Sequence, residues 1–275
     1  KQIKSSPKQV WNRIPAQERE RVVELALDRE ELTPRELAWH ITDHQGWYIS
    51  ESSVYRILRE YGLLTAPAYM VLSAGKEFKD KTVRPNQMWQ TDFTFFKIIG
   101  WGWYYLSTVL DDYSRYIVAW ELCSGMKAED AESTVRKAIA HANIPKNNRP
   151  KLLSDNGSSY IAHDFKKFLS EEKITPVHGR PLHPQTQGKI ERYNRSLKNC
   201  IKLENYYSPG ELERAVEKFV LYYNHQRYHE SISNLTPAQV YYNKGNQVLE
   251  KRRKTKIKTL NRRKKQHRKL MVMRH

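Results

Sequence analysis

The stretch WQTDFTFFKII, residues 89–99, decides the fold of the larger part of this sequence. Its residues alternate and it is rich in aromatic side chains, which predicts a β-strand. Trp89, Phe93 and Phe95 are expected on one face, and Asp92 among the polar residues of the other. Because aspartate is disfavoured in strands, Asp92 in the middle of so apolar a strand needs a compensating interaction. Asp92 is therefore the first candidate functional residue.

The segments that follow predict a sheet with helices. Gly100 and Gly102 mark a turn, YYLSTVL and RYIVAWEL have the composition of two more strands, and KAEDAESTVRKAIAHA has helical spacing. A short strand PKLLSD, a helix over 161–171, a strand KITPVH, a proline-rich loop and another helix come next. Three strands followed by alternating helix and strand indicate a mixed α/β sheet.

Two further acids are placed to join Asp92. Asp155 ends the strand PKLLSD, so its carboxylate would project at the carboxyl edge of the sheet, where open α/β sheets place their sites. Glu191 follows on a helix, and if that helix packs against the sheet the three carboxylates converge. Because converging carboxylates repel one another, the usual remedy is a hard divalent cation bound through oxygen. Alone, Glu191 would be better explained as an i,i+4 partner of Arg195 on a solvated helix.

The pair Asp111 and Asp112 in LDDYSR also resembles a catalytic pair. It follows a strand and precedes Tyr-Ser-Arg, which favours a hairpin turn with local capping. We therefore leave these two residues out of the candidate site.

Residues 17–63 predict three short helices, over 17–29, 34–42 and 52–61, with a tight second turn typical of a helix-turn-helix. In the third helix an inward apolar stripe leaves four side chains outward, where they would reach a major groove. These are Ser53, Tyr55, Arg56 and Arg59. The alternative is a plain three-helix bundle whose arginines are only solvated.

The net charge of +18 is concentrated at one end, because residues 251–275 hold 13 of the basic residues and no acid. Such an excess indicates a polyanionic partner. Nucleic acid is favoured over a membrane, since no apolar run approaches the roughly 20 residues that span a bilayer. We expect a tail that is disordered when free and contacts phosphates without sequence preference; the alternative is a solvated tail. The candidate contacts in it are Lys251, Arg252, Arg253, Lys254, Arg262 and Arg263.

The two cysteines, Cys123 and Cys200, form no disulfide framework, which indicates an intracellular, reduced protein.

Five blocks of the sequence resemble the catalytic reading frame of bacterial insertion-sequence transposases with a retroviral-integrase-type core. They are WQTDFT (89–94), LDDYSRYIVAW (110–120), LSDNGSSY (153–160), GRPLHPQTQGKIERYNRSLK (179–198) and YYNHQRYHESISNLTPAQVYY (222–242). The resemblance runs from about residue 20 to residue 243. The order of the acids, with 35 residues between Asp155 and Glu191, matches the DD(35)E pattern of the integrase and transposase superfamily.

The resemblance implies an RNase H-like fold in which Asp92, Asp155 and Glu191 hold two Mg²⁺ or Mn²⁺ ions per active site. A basic residue seven positions after the glutamate is typical of the family, and here it is Lys198. Glu191 and Lys198 would share one helix face about 10 Å apart, so the bases of that helix are expected to hold phosphates. These bases are Lys189, Arg192, Arg195 and Lys198.

The implied activity is cleavage and strand transfer of insertion-sequence ends, with terminal inverted repeats and target DNA as partners. A homo-oligomer, at least a dimer in the synaptic complex, is expected because two ends are joined, as is fusion to or association with an upstream-frame product. The expected location is the bacterial cytoplasm, at the nucleoid. One rival is a plain nuclease of the same fold; another is a DNA-binding repressor descended from a transposase, against which the three acids argue.

The chain departs from the family at its ends. It lacks the N-terminal His/Cys zinc module of retroviral integrases, and it starts at Lys1 without a heptad run, so we expect a second-frame product or a fragment. The predicted organisation is an N-terminal arm (1–16), a helix-turn-helix domain (17–63), a linker (64–86), an RNase H-like core (87–207), a C-terminal helical extension (208–250) and a basic tail (251–275).

Overall fold

The computed structural model divides into two compact units. The residues described are 10–64, 81–178, 187–201 and 206–272. The all-α unit contains residues 10–64 and 244–272, and the sheet unit contains the described residues between 81 and 243. Residues 1–9 of the predicted arm and 65–80 of the predicted linker lie outside the described part of the chain.

The sheet unit is built on a five-stranded mixed sheet. Its strands are β1 (Met88–Ile98), β2 (Gly102–Asp111), β3 (Ile117–Cys123), β4 (Lys151–Ser154) and β5 (Pro176–His178). Their order across the sheet is β3-β2-β1-β4-β5. β1, β2 and β3 pair antiparallel, whereas β4 runs parallel to both β1 and β5. The mixed α/β sheet predicted from the sequence is confirmed.

Helices cover both faces of this sheet. They are α4 (Ala128–Ala142), α5 (Ser158–Ile161), α6 (His163–Glu171), α7 (Gly188–Ile201), α8 (Pro209–His225) and α9 (Pro237–Tyr241). One hydrophobic core joins Trp89 of β1 to α4, α6 and α9. A second core joins Phe96 and Ile98 of β1 to α7 and α8. β1 therefore lies between two cores, although Phe95 is 52% exposed.

The predicted division between a core ending at residue 207 and a helical extension is not seen as a boundary in the fold. α8 lies in the second core and α9 in the first, so both belong to the sheet unit. The unit ends at Asn243.

The all-α unit begins with the three helices expected from the sequence: α1 (Ala16–Asp28), α2 (Pro34–His40) and α3 (Glu51–Glu60). A π-helical turn, Ile41–Gln45, continues α2. Thr33 and Glu36 form a capping box at the start of α2, which has Pro34 in its first turn. The predicted inward stripe of α3 is buried, while Tyr55, Arg56 and Arg59 are exposed and Ser53 is partly buried.

The C-terminal segment forms a fourth helix of this unit, α10 (Gly245–Val272). Arg252, Thr259 and Arg263 are buried along one side of it. Arg252 donates two hydrogen bonds to Asp43, at 2.8 and 2.7 Å, and Arg263 donates to Glu18 at 2.6 Å. The expectation of a disordered tail is therefore wrong for residues 251–272, because acids distant in sequence lie against its bases.

The candidate DNA contacts of the tail divide into two groups. Lys251, Arg253, Lys254 and Arg262 are exposed, although Arg253 and Lys254 pair with Glu250 and Arg262 pairs with Glu18. Arg252 and Arg263 are only 5% exposed and their guanidinium groups bind acids inside the unit. The structure thus corrects their expected role, because a buried, ion-paired arginine is not presented to a phosphate.

No helix in the described part of the chain combines the length and the apolar composition that crossing a bilayer requires.

Candidate active site

Asp92 lies near the middle of β1 and is partly buried. The backbone N–H of Phe93 donates to its Oδ1 at 2.9 Å, and Nδ2 of Asn194 on α7 donates to its Oδ2 at 2.8 Å. Burial, followed by repulsion from Asp155 and then from Glu191, raises the pKa of Asp92 to about 6, against the lowering effect of the two hydrogen bonds. The three acids predicted from the sequence are therefore near enough to interact electrostatically.

Asp155 directly follows Ser154, the last residue of β4, and is exposed. Because β4 runs parallel to β1 and beside it, the end of β4 places this carboxylate next to Asp92. The backbone N–H of Gly157 donates to Oδ1 of Asp155 at 2.9 Å. A Cβ at position 157 would lie 2.9 Å from that same oxygen. Gly157 thus fixes the direction of the Asp155 carboxylate and leaves room for it.

For the activity that the sequence resemblance implies, Gly157→Ala is expected to reduce the reaction rate while leaving the fold intact. Gly157 has a φ of −59°, which alanine adopts without strain, so the added methyl only has to displace the Asp155 carboxylate. We expect that rate to fall by about tenfold or more, since a misplacement of about 1 Å can cost a hundredfold. The melting temperature and the reaction rate are measured together, with Gly210→Ala, where an added Cβ has no atom within 4 Å, as the control. An unchanged rate would show that the Asp155 direction is not limiting.

Glu191 is exposed in the first turn of α7. The beginning of that helix is fixed to the sheet by Gln90 of β1, whose Oε1 accepts the backbone N–H of Ile190 at 3.1 Å. The Asn194–Asp92 hydrogen bond fixes the helix one turn later. Both anchors bracket Glu191, so the position of its backbone relative to Asp92 is set by the fold.

Asp111 is the last residue of β2, and Asp112 begins the predicted hairpin turn between β2 and β3. Asp111 accepts hydrogen bonds from the N–H and the hydroxyl of Ser114, at 2.8 and 2.6 Å, so the expected local capping is confirmed. Asp112 is buried. Its carboxylate accepts hydrogen bonds from Gln90 Nε2 and Lys189 Nζ, each at 2.7 Å. Asp112 therefore helps hold the start of α7 to the sheet.

The four bases of α7 do not share one environment. Arg192 and Arg195 are exposed, and Lys198 is partly exposed with its ammonium 4.4 Å from the ring centroid of Phe95. Lys189 is bound to Asp112. The expectation that Lys189 holds a phosphate is corrected for this reason, since its ammonium already forms a partly buried ion pair.

Gln90 and Asn194 were missed as site residues by sequence reasoning. Gln90 lies in the polar row of β1 near Asp92, and Asn194 lies one turn after Glu191. The role of each residue follows only from its hydrogen bond to the other element. The sequence shows only two amides, two positions before Asp92 and three after Glu191, and this spacing does not distinguish them from ordinary polar residues.

The donor set fits a divalent cation. In the described ranges no group of three histidine, cysteine, aspartate or glutamate side chains is close enough to hold a metal ion as the side chains stand. Asp92 is fixed by two hydrogen bonds and repelled by two exposed carboxylates, and a hard cation bound through oxygen would relieve that repulsion. Asp92, Asp155 and Glu191 are thus the residues that would hold it.

Two family models, both described as an integrase core domain, match residues 82–184 and residues 172–237. Together they span more than half of the chain. Among solved structures, the chain is similar to a chain of the simian T-cell lymphotropic virus intasome in complex with the PP2A regulatory subunit B56 gamma. The TM-score is 0.52 and the identity 21%, and the match covers 80% of this chain and 74% of that one. This likeness shows the fold, and the expected RNase H-like architecture is confirmed.

Curated relatives also match more than half of this chain. InsK of insertion sequence element IS150 from Escherichia coli K12, a transposase by name, is 28% identical over 160 residues, covering 58% of this chain and 56% of its own length. The transposase InsF of IS3A from the same organism is 27% identical over 157 residues, covering 56% and 54%. This chain thus spans just over half the length of those two relatives. The chain belongs to the integrase core domain family, whose models match residues 82–237, and it is similar to bacterial insertion-sequence transposases.

Proposed function

We propose that this protein is a DNA transposase that cleaves insertion-sequence ends and joins them to target DNA by phosphodiester transesterification. The observation that carries the proposal is the coupling of three carboxylates around Asp92, with α7 bonded to that residue through Asn194. Membership of the integrase core family agrees with it. A 3′-hydroxyl or water would attack the phosphodiester, with no covalent link to the protein.

In this proposal Asp92, Asp155 and Glu191 bind two Mg²⁺ or Mn²⁺ ions. When bound, such ions activate an attacking oxygen and stabilise the leaving one in an in-line phosphoryl displacement. The chain's own residues do the positioning: Asn194 and the Phe93 N–H hold the Asp92 carboxylate, and Gly157 directs Asp155. Arg192, Arg195 and Lys198 on the same helix as Glu191 would contact the phosphates of the bound strand.

The all-α unit is proposed to bind the terminal inverted repeats. Tyr55, Arg56 and Arg59 lie exposed on α3, which would enter a major groove with Ser53 beside them. The exposed bases of α10, Lys251, Arg253, Lys254 and Arg262, would add phosphate contacts without sequence preference. The proposed location is the bacterial cytoplasm, on the nucleoid.

The test is a joining assay with the full chain. Labelled oligonucleotides that carry the element ends are incubated with Mg²⁺ and a supercoiled target, and cleaved and joined products are resolved. Joined products support the transposase; cleavage without joining would favour the rival nuclease of the same fold, and end binding without either would favour a repressor. We also propose that the active complex is a homo-oligomer, at least a dimer. Light scattering of the protein with bound ends measures its mass, and a monomeric active complex would exclude this assembly.

Arg56→Ala is expected to weaken the preference for end DNA over random DNA by roughly 5- to 150-fold, because a bidentate base contact discriminates by about 1–3 kcal/mol. The affinities for the two DNAs are measured by fluorescence anisotropy at one salt concentration. The matched control is Arg21→Ala, an exposed arginine of α1 in the same unit. Equal loss of affinity for both DNAs would make Arg56 a phosphate contact, and no loss would remove it from the interface.

A further inference from the structure

The hairpin formed by β1 and β2 extends beyond its neighbours in the sheet. Within the described residues, β4 pairs with β1 only over Met88–Gln90, and the pairing of β3 with β2 begins at Tyr105. Residues 96–104 therefore form a two-stranded ribbon that projects past both neighbours, and Phe95 pairs with Tyr105 at the base of this ribbon. A tight turn closes it, in which Gly100 and Gly102 have φ values of 81° and 92°.

The outer side of this ribbon is unusually aromatic for an exposed surface. Phe95, Trp101 and Trp103 are 52%, 57% and 50% exposed. Phe95 and Trp103 lie edge to face, with ring centroids 5.7 Å apart. The opposite side of the ribbon packs against the protein, since Phe96 and Ile98 are buried in the second core. Trp101 lies in the turn, where its indole N–H donates to the backbone oxygen of Tyr207 at 3.0 Å. The exposed, contacting rings of Phe95 and Trp103 therefore mark the binding surface.

Lysines accompany the rings and indicate the charge of the partner. Lys97 on the ribbon has its ammonium 5.7 Å from the Trp103 ring centroid, and Lys198 of α7 lies 4.4 Å from that of Phe95. Exposed arginines, Arg192 and Arg195, continue the positive charge along α7. Rings interleaved with cations are the chemistry that binds the stacked bases and phosphates of a single nucleic-acid strand.

The ribbon also adjoins the candidate active site on two elements. Phe95 follows Asp92 by three residues on β1, about 10 Å along the strand, so the two side chains leave opposite faces of that strand. Lys198, seven residues and again about 10 Å after Glu191 on α7, lies against Phe95, with its ammonium 4.4 Å from the ring centroid. In the described residues β4 does not pair with β1 beyond Gln90, so no strand covers this edge of β1. A DNA strand whose phosphate lies at the carboxylates would reach the aromatic rings by passing Lys198 at this edge.

We propose that the ribbon face formed by Phe95, Lys97 and Trp103 binds unpaired nucleotides of the DNA next to the reacting phosphate, by stacking bases on its rings. Duplex DNA hides the faces of its bases inside the stack, so a stacking surface selects a strand that is unpaired. The inference rests on the proposed function in one respect, that the partner is DNA. Lys97 and Lys198 hold the phosphates between the stacked bases.

The test measures binding with the full-length chain in EDTA, where neither cleavage nor joining contributes. The probes are a fluorescein-labelled thymine oligonucleotide of about 12 nucleotides, within the range of known single-strand sites, and a duplex of the same length. Trp103→Leu keeps an apolar side chain but removes the aromatic face, whereas Trp103→Phe keeps a ring. Because Trp103 is half exposed, circular dichroism is expected to show that both variants fold.

Trp103→Leu is expected to lose about tenfold in affinity for the single strand, within the range measured for one stacked base, and less than about twofold for the duplex. Trp103→Phe is expected to bind the single strand within about threefold of the wild type. Equal single-strand affinity for Trp103→Leu and wild type overturns the inference. A change in oligomeric mass for Trp103→Leu, with unchanged DNA affinity, also overturns it and makes the ribbon a contact between copies. If the proposed function fails instead, joined products are absent while this single-strand preference persists.

Discussion

Asp92→Asn, Asp155→Asn and Glu191→Gln are each expected to reduce cleavage and joining of end DNA by at least about a thousandfold, while end binding stays within a few-fold of the wild type. The loss is large because each change removes one negative oxygen donor from the proposed cation site. When several groups act as a unit, removing any one of them can cost nearly as much as removing all of them. Binding is spared because the charge that is removed is negative and faces phosphates. The joining assay and an end-binding titration measure the two effects separately.

The matched control for these changes is Asp164→Asn, an exposed acid in the first turn of α6. It removes the same charge from the same unit, so any general effect of charge appears there. Joining at more than about a tenth of the wild-type rate in one of the three variants would remove that residue from the proposed metal site.

Asp92 also gives this prediction a readout that does not depend on activity. Its pKa in the folded protein, about 6, is above the ordinary value of 3.8. The fold therefore favours the protonated carboxyl: the associated stability is fully present below about pH 4 and is lost as the pH rises through about 6. At pH 7 without metal, the charged Asp92 costs on the order of 2–3 kcal/mol of folding free energy. In EDTA at pH 7, Asp92→Asn is expected to have a higher melting temperature than the wild type. At pH 4 the two proteins are expected to have equal melting temperatures.

The three acids are predictable from the sequence because each leaves a local sign: an aspartate inside an apolar strand, an aspartate at a strand end before Asn-Gly, and one acid among the bases of a helix. The contacts that hold them leave no such sign. Asn194 reaches Asp92 across 102 positions, and Ile190 reaches Gln90 across 100. Periodicity describes one element at a time, so a hydrogen bond between two elements is seen only once the chain is folded.

The error over α10 has the same physical origin. Composition alone describes residues 251–275 as like charges that repel, and such a run is disordered when nothing neutralises it. The acids that neutralise it, Asp43 and Glu18, lie 209 and 245 positions away. Lys189 follows this pattern, because its partner Asp112 lies 77 positions earlier. In each case the sequence alone predicts that a basic side chain contacts DNA, because its partner acid lies far away in the sequence.

Arg252→Ala is expected to destabilise the all-α unit by about 3 kcal/mol, the lower end of the cost of removing one partner from a buried ion pair. The Arg252 guanidinium is 5% exposed, binds both oxygens of Asp43 and lies 4.6 Å from the ring centroid of Trp39. Its loss leaves the Asp43 carboxylate in a site built for two parallel hydrogen bonds. Hydrogen exchange of the α10 backbone amides and urea unfolding followed by circular dichroism measure the change.

The neighbouring residue provides the control, because Arg253 lies on the same helix but is exposed and pairs with Glu250 one turn away. Arg253→Ala removes the same charge from the same segment, and surface ion pairs contribute little, so its exchange protection and unfolding midpoint are expected to match the wild type. A disordered tail would make the two arginines equivalent. If Arg252→Ala alone loses hydrogen-exchange protection, α10 is part of the folded unit. If the wild type shows no protection of α10, this helix is not part of the folded unit.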